Sequence, residues 1–180
     1  LKIKYMFPKA HAAAYMISAL RLGWYKVHKP VEYYAAYFTV RGEDFDGVLV
    51  AQGREAVRRR MSEIAMKGKE ASKKEEDAFS TLQIVNEMLA RGIQVLPVDL
   101  YRSHAKKYLV EEGKVRLPFA SLAGVGEAAA NSLYEAGQQG PYISVDDLQS
   151  RSKVSKAVIE MLSEAGALKD LPESSQMTLF

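Results

Sequence analysis

The stretch "LPFASLAGVGEAAANSLYEAG", residues 117–137, sets Gly124-Val125-Gly126 between two short apolar runs. Two glycines let a chain reverse sharply and let another backbone come close. The pattern predicts a short apolar helix, a tight turn and a second helix ending at Gly137. Val125 is expected to plug the space between the helices. The helix that opens near Gly126 turns its free N–H groups and the positive end of its dipole outward. Such an end suits an anion, a nucleic-acid phosphate for example, without any reading of bases. The other reading is an ordinary tight helix–helix turn.

Helix, GxG turn and helix together make the helix–hairpin–helix signature, which Ala129, Ala130 and Leu133 continue. A looser second copy follows in "SVDDLQSRSKVSKAVIEMLSEAGAL", with Ser152-Lys153-Val154-Ser155 where the first copy has its glycines. Ser144 and Ser155 are favourable N-caps, and Val154 takes the role of Val125. Here Lys153 and Lys156, not glycine amides, would meet phosphate. Two such units packed together form a compact pseudo-symmetric module able to hold both strands of a duplex.

The rest of the chain is mainly helical in pattern. "PKAHAAAYMISALRLGWYKVH", residues 8–28, reads as a long helix stopped by Lys29-Pro30, and Pro30 opens a second one. The first helix is apolar almost all round and is expected to be buried on most sides. One stripe differs, with His11, Ala14, Ser18, Arg21, Tyr25 and His28 at a 3-4-3-4-3 spacing along one face. It is either a solvated edge or a contact face. Residues 53–66 and 77–91 read as amphipathic helices, joined by "KGKEASKKEE" as a mobile, solvated connector. Gly92 caps the second of these helices. The run 106–119 predicts a β-hairpin turning at Glu111-Glu112-Gly113, with Gly113 at positive φ.

Composition narrows the partners. With 180 residues, 48% of them hydrophobic, the chain can bury a real core. It has no cysteine, which excludes disulfides and thiolate chemistry and fits a reducing cytoplasm. His11, His28 and His104 lie too far apart in sequence to suggest a metal site. The longest strongly apolar stretch without charge, Ala10 to Leu20, is 11 residues, too short to cross a bilayer. The chain does not open on methionine, so a piece of something longer is expected. The net charge is only +3, but residues 54–74 hold eight Lys or Arg against three acids. Basic blocks of this kind fit either a phosphate-tracking surface or solvated helix faces.

Taken in order, "KAHAAAY", "KVHKPVEYYAAYFTVR", "EDFD", "LPVDLYRS", "LPFASLAGVG", "DLQSR", "LSEAGAL" and the terminal "QMTLF" resemble the C-terminal part of the PolC-type α subunit of bacterial replicative DNA polymerase III. The resemblance implies a mainly α fold. Residues 1–95 would be the C-terminal part of the fingers, 96–117 a connector with the β-hairpin, 118–168 the tandem duplex-gripping module and 169–180 a flexible tail. Lys9, His11 and Arg21 become candidates to face the incoming deoxynucleoside triphosphate or the template. Gln176, Met177, Leu179 and Phe180 resemble the sliding-clamp-binding peptide, Gln at the pocket rim and Leu-Phe as anchors. The Mg²⁺-holding aspartates implied for the whole polymerase belong to a palm upstream, as does the exonuclease. This segment is therefore expected to hold no catalytic or metal residue and to be inactive alone. Asp44 and Asp46 are assigned to helix capping or solvent.

Two other classes remain open. A stand-alone DNA-binding or repair-scaffold module would use the hairpins without a polymerase, and a helical adaptor would use the glycine turns without a ligand. The first 95 residues discriminate, since a stand-alone protein closes a core there whereas a severed fingers region leaves an apolar face exposed.

Overall fold

A computed structural model describes residues 8–42 and 44–174. Gln176, Met177, Leu179 and Phe180 lie outside the described residues.

The helical part comprises α1 (Lys9–His28), α2 (Pro30–Arg41), α3 (Gly47–Ala51), α4 (Arg54–Lys67) and α5 (Lys73–Ala90). Pro30 stands at the first position of α2, where its missing N–H costs nothing. Asp46 caps α3, its carboxylate accepting from the Leu49 amide at 3.0 Å. Tyr34 and Phe38 of α2 pack with Val57 and Ile64 of α4 and with Leu82, Val85 and Met88 of α5 in the core.

Two expectations are corrected here. The lysine-rich connector is mostly ordered: after one 3₁₀ turn at Gly68–Glu70, α5 already begins at Lys73. The Ser72 side chain and the Glu75 carboxylate close a reciprocal capping box there, which the four-residue Ser-x-x-Glu spacing signals. The second correction concerns α1, which contains no buried residue. Tyr15, Met16, Leu20, Trp24 and Val27 are each more than half exposed. Helical period and apolar content describe what α1 can cover, not what is present to cover it.

Three short strands form one sheet, ordered β1-β3-β2: β1 (Val95–Leu96), β2 (Leu109–Glu111) and β3 (Lys114–Arg116). β2 and β3 are the expected hairpin, with Val110 opposite Val115. Both turn residues, Glu112 at φ 52° and Gly113 at φ 74°, take positive φ, as a two-residue turn of matching twist requires. β1 adds a parallel partner to β3, Val95 against Val115.

A 3₁₀ turn at Phe119–Ser121 leads into α6 (Glu127–Gly137), then α7 (Val145–Ser152) and α8 (Lys156–Glu164). The element before the first glycine turn is thus one tight turn rather than a helix, Pro118 at its cap leaving seven residues to Val125. The core continues from Tyr34 and Phe38 through Val115 and Phe119 to Leu133, Leu148 and Leu162 without a break.

Candidate nucleic-acid interface

The two glycine-region turns follow the same sequence of backbone conformations at their first and last residues. Gly124 has φ 85°, and Lys153, in the matching place, is left-handed at φ 56°. The next residue is a buried valine in each case, Val125 and Val154. Gly126 then caps α6 at φ −70°, ψ 167°, and Ser155 caps α8 at φ −71°, ψ 160°. A positive-φ residue turns the chain, a valine anchors it and an extended residue launches a helix. Ser144 and Ser155 both cap through their side chains, accepting from Asp147 N and Val158 N.

The glycines differ in what they do. Gly124 needs its conformation, which side chains rarely adopt. Gly126 does not, since its φ is ordinary and a Cβ there would meet nothing within 4 Å. The fold makes no demand for glycine at 126, and its absent side chain leaves bare backbone open to the outside. Beyond it the first-turn amides of α6 have no helical carbonyl to bond.

Side chains hold the turns in one body. A Cβ on Gly124 would lie 3.8 Å from Met161 of α8, so the first turn abuts the last helix. Arg151 donates to Ala136 O at 2.7 Å, Gly140 O at 2.9 Å and Pro141 O at 3.1 Å. It also pairs with Asp147 at 3.3 Å and stacks 4.4 Å from the Tyr142 ring centre. It thereby ties α7 to the last turn of α6 and to the loop that follows it. Gly137 faces the connector, and a Cβ there would come within 2.8 Å of Leu100 O. The chain after α8 also folds back, Val145 N donating to Pro172 O at 2.9 Å and Asp146 N to Glu173 O at 3.2 Å.

The sheet beneath the first turn is stitched by charge. Arg116, nearly buried, holds Glu111 through two bonds of 2.8 and 2.7 Å and donates to Pro97 O at 2.7 Å. Its guanidinium, with Arg102, holds the Glu111 carboxyl down at about 2. Ser103 Oγ donates to Leu117 O at 2.6 Å. His104 accepts from the amides of Lys106 and Lys107 at 3.1 and 3.2 Å and lies on the Tyr134 ring. Burial and then Lys107 lower its pKa.

The charge at the two turns is not alike. Glu127, first residue of α6, sets a carboxylate at the mouth of the first turn, and Lys106 Nζ pairs with it at 2.9 Å. At the second, exposed Lys153 and Lys156 make no ion pair among the described residues. A cleft of about 710 Å³ separates the first turn from the helical part, with Arg60, Lys74, Asp44, Asp46 and Glu75 on its far wall. Glu75 is committed to Lys67 and Ser72, which hold it at about 2. Among the described residues no group of three or more His, Asp or Glu is placed to hold a metal ion, and Asp46 is occupied as a cap.

Lys9, His11 and Arg21 are all exposed on α1. His11 packs its ring 4.5 Å from Tyr15. At about 100° per residue, Lys9 lies about 200° round the helix from His11, off the stripe that holds His11 and Arg21. The site residues hardest to read from sequence are Arg151, whose carbonyl partners lie at the end of α6 and in the loop after it, and Lys106, whose carboxylate lies 21 positions on. The chain contains no described helix long and apolar enough to cross a membrane.

Residues 92–177 match the family described as "Helix-hairpin-helix motif". The chain is 48% identical to the DNA polymerase III PolC-type of Thermotoga petrophila, over 99% of this chain and 13% of that protein. It is equally 48% identical to the DNA polymerase III PolC-type of Bacillus cereus, over 99% of this chain and 12% of that one. The relative from Halalkalibacterium halodurans, of the same name, is 48% identical over 100% of this chain and 13% of its own length. The chain thus spans about one eighth of the curated relatives it matches.

Proposed function

Because this chain belongs to the PolC-type DNA polymerase III family, as a segment of it, we propose that it grips primed duplex DNA behind the active centre of a DNA-directed DNA polymerase. The paired turns hold phosphates of the two strands without reading bases, the first through amides beyond Gly126 and the second through Lys153 and Lys156. The observation that carries this reading is Gly126: its φ is ordinary and a Cβ there would meet nothing within 4 Å, so beyond a mild N-cap preference its bareness serves a contact outside the fold.

Residues 1–95 serve as the C-terminal part of the fingers, with His11 and Arg21 towards nucleotide or template and Lys9 on a separate face. The uncovered apolar surface of α1 supports a segment severed from a larger body over a stand-alone module. Gln176, Met177, Leu179 and Phe180 tether the polymerase to a sliding clamp, a role supported by their sequence pattern. Nucleotidyl transfer and its Mg²⁺ ions fall to a palm elsewhere in the longer polypeptide, as does the exonuclease, and the whole works in the cytoplasm.

Duplex binding by the 180-residue chain tests the grip. Gly126→Ala keeps stability within about 0.5 kcal/mol, because alanine fits the backbone there and only cap preference is lost. It should nevertheless weaken duplex affinity about ten-fold, roughly 1.4 kcal/mol, and affinity should fall steeply with salt. Unchanged affinity in this variant would sink the phosphate reading. Deleting Leu179-Phe180 should abolish clamp association and leave duplex affinity alone; clamp binding that persisted would remove the tether.

A further inference from the structure

The root of α1 carries a cluster that the DNA grip does not use. α1 is a lever about 30 Å long with no buried residue, resting on α2. A single residue, Lys29, joins α1 to Pro30 and the start of α2. In the last turn of α1, Lys26 Nζ reaches Glu87 Oε2 of α5 at 2.7 Å. The same ammonium lies 5.5 and 5.9 Å from the ring centres of Tyr33 and Tyr34. Glu87 is shared, since its other oxygen accepts from Arg91 at 3.0 Å. Beside it the buried Tyr34 hydroxyl makes no hydrogen bond of good geometry, and burial first and then the neighbouring Glu87 carboxylate push its pKa up to about 12.

We propose that Lys26 and Glu87 are positioning residues, a latch that fixes the angle of α1 on the helical part and hence the direction of its polar stripe. Lys26 joins the last turn of α1 to α5, an element it does not otherwise border in sequence, so the bond acts across the Lys29 junction and not along one helix. Both side chains are partly exposed, 27% and 35%, and an ion pair so placed is weak enough to open. Opening leaves little uncompensated: Arg91 stays on Glu87, and the Tyr34 hydroxyl can turn to the carboxylate it now lies beside. The latch holds α1 whether or not the stripe meets nucleotide, so it does not rest on the proposed function.

The chain has no cysteine, so Ala13→Cys in α1 and Gln83→Cys in α5, both exposed, take spin labels at those two sites alone. Their distance distribution in the full 180-residue chain reads the angle of α1. It should be narrow in the labelled parent, broad in Lys26→Met and in Glu87→Gln, and narrow again in Lys26→Arg, which keeps the pair and the contact over the tyrosines. Raising ionic strength from about 0.1 to about 1 M should broaden the parent and leave Lys26→Met as it is, since screening acts only where the charge pair exists. A Lys26→Met distribution as narrow as the parent's would overturn the latch. So would a Lys26→Arg distribution as broad as that of Lys26→Met. A melt of each variant confirms that it is folded, and Lys26→Met keeps the apolar stem that packs on the rings.

Discussion

The two turns share a backbone plan and would meet a phosphate in opposite ways. The first removes side chains, Gly124 to allow the turn and Gly126 to clear the surface, so that backbone amides would be the proposed contact. Its nearby carboxylate, Glu127, is held by Lys106. The second keeps side chains: Lys153 occupies a left-handed position that costs a non-glycine residue about 1–2 kcal/mol, and Lys156 follows the cap. A bare turn offers close, directional amides, whereas a lysine turn offers longer reach and net charge. A lysine held at positive φ when the other copy uses glycine points to a side chain retained for its charge rather than for the fold.

The largest expected effect tests whether the second turn depends on its buttress. Arg151→Ala removes the donor to three carbonyls and the stack on Tyr142; it should cost about 2–3 kcal/mol in denaturant unfolding and loosen α7 against α6. A loss below the error of the measurement would make the two turns independent of it. Next, Gly124→Ala should cost about 1–2 kcal/mol because of its φ. The same change at Gly126, described above, costs almost nothing yet weakens binding, and equal stability losses at both glycines would erase the distinction between turning and clearing.

Lys153→Gly should move the other way. Relief at φ 56° raises stability by up to about 1 kcal/mol, while the slope of log affinity against log salt falls by about one charge. Lower stability, or an unchanged slope, would remove Lys153 from the contact. The smallest effect is invisible at neutral pH. Glu111 is held at about 2, against an ordinary value of 4.5, first by its hydrogen bond from Arg116. A carboxyl lowered on folding contributes stability that is complete above 4.5 and is lost as pH falls towards 2. Acid unfolding should therefore steepen in that window, and amides of β2 and β3 beneath the first turn should lose protection before those of α7.

Much of this was legible in the sequence where a rule is local. Pro30 opens α2, Asp46 and Ser155 cap their helices, and Val125 and Val154 are the anchors, since cap chemistry and turn spacing depend on neighbours within four residues. What depends on distant partners was not. The pairing of β1 with β3 joins Val95 to Val115 across 20 positions, and two residues carry no strand period. Arg151 looks like any surface arginine until Gly140 and Pro141 bring their carbonyls to it. The exposure of α1 is the same lesson reversed, because an apolar helix states a need for burial and cannot state whether the covering chain is present. The contacts that cross residue 117, Ser103 to Leu117 and Gly137 against Leu100, likewise depend on distant partners and carry no local signal.

The return of the chain onto α7 has a consequence for range. Val145 and Asp146 moor the backbone at Pro172 and Glu173, so a partner that took hold of Gln176 would do so with two residues of slack after Glu173, about 7 Å of extended chain. A leash that short sets geometry as well as affinity. A ring held by it would be confined beside the start of α7, its local concentration fixed by a mooring point and not by a random coil. Inserting a flexible run after Glu173 would then lengthen the leash without touching either contact, so that grip and tether could be uncoupled by distance alone.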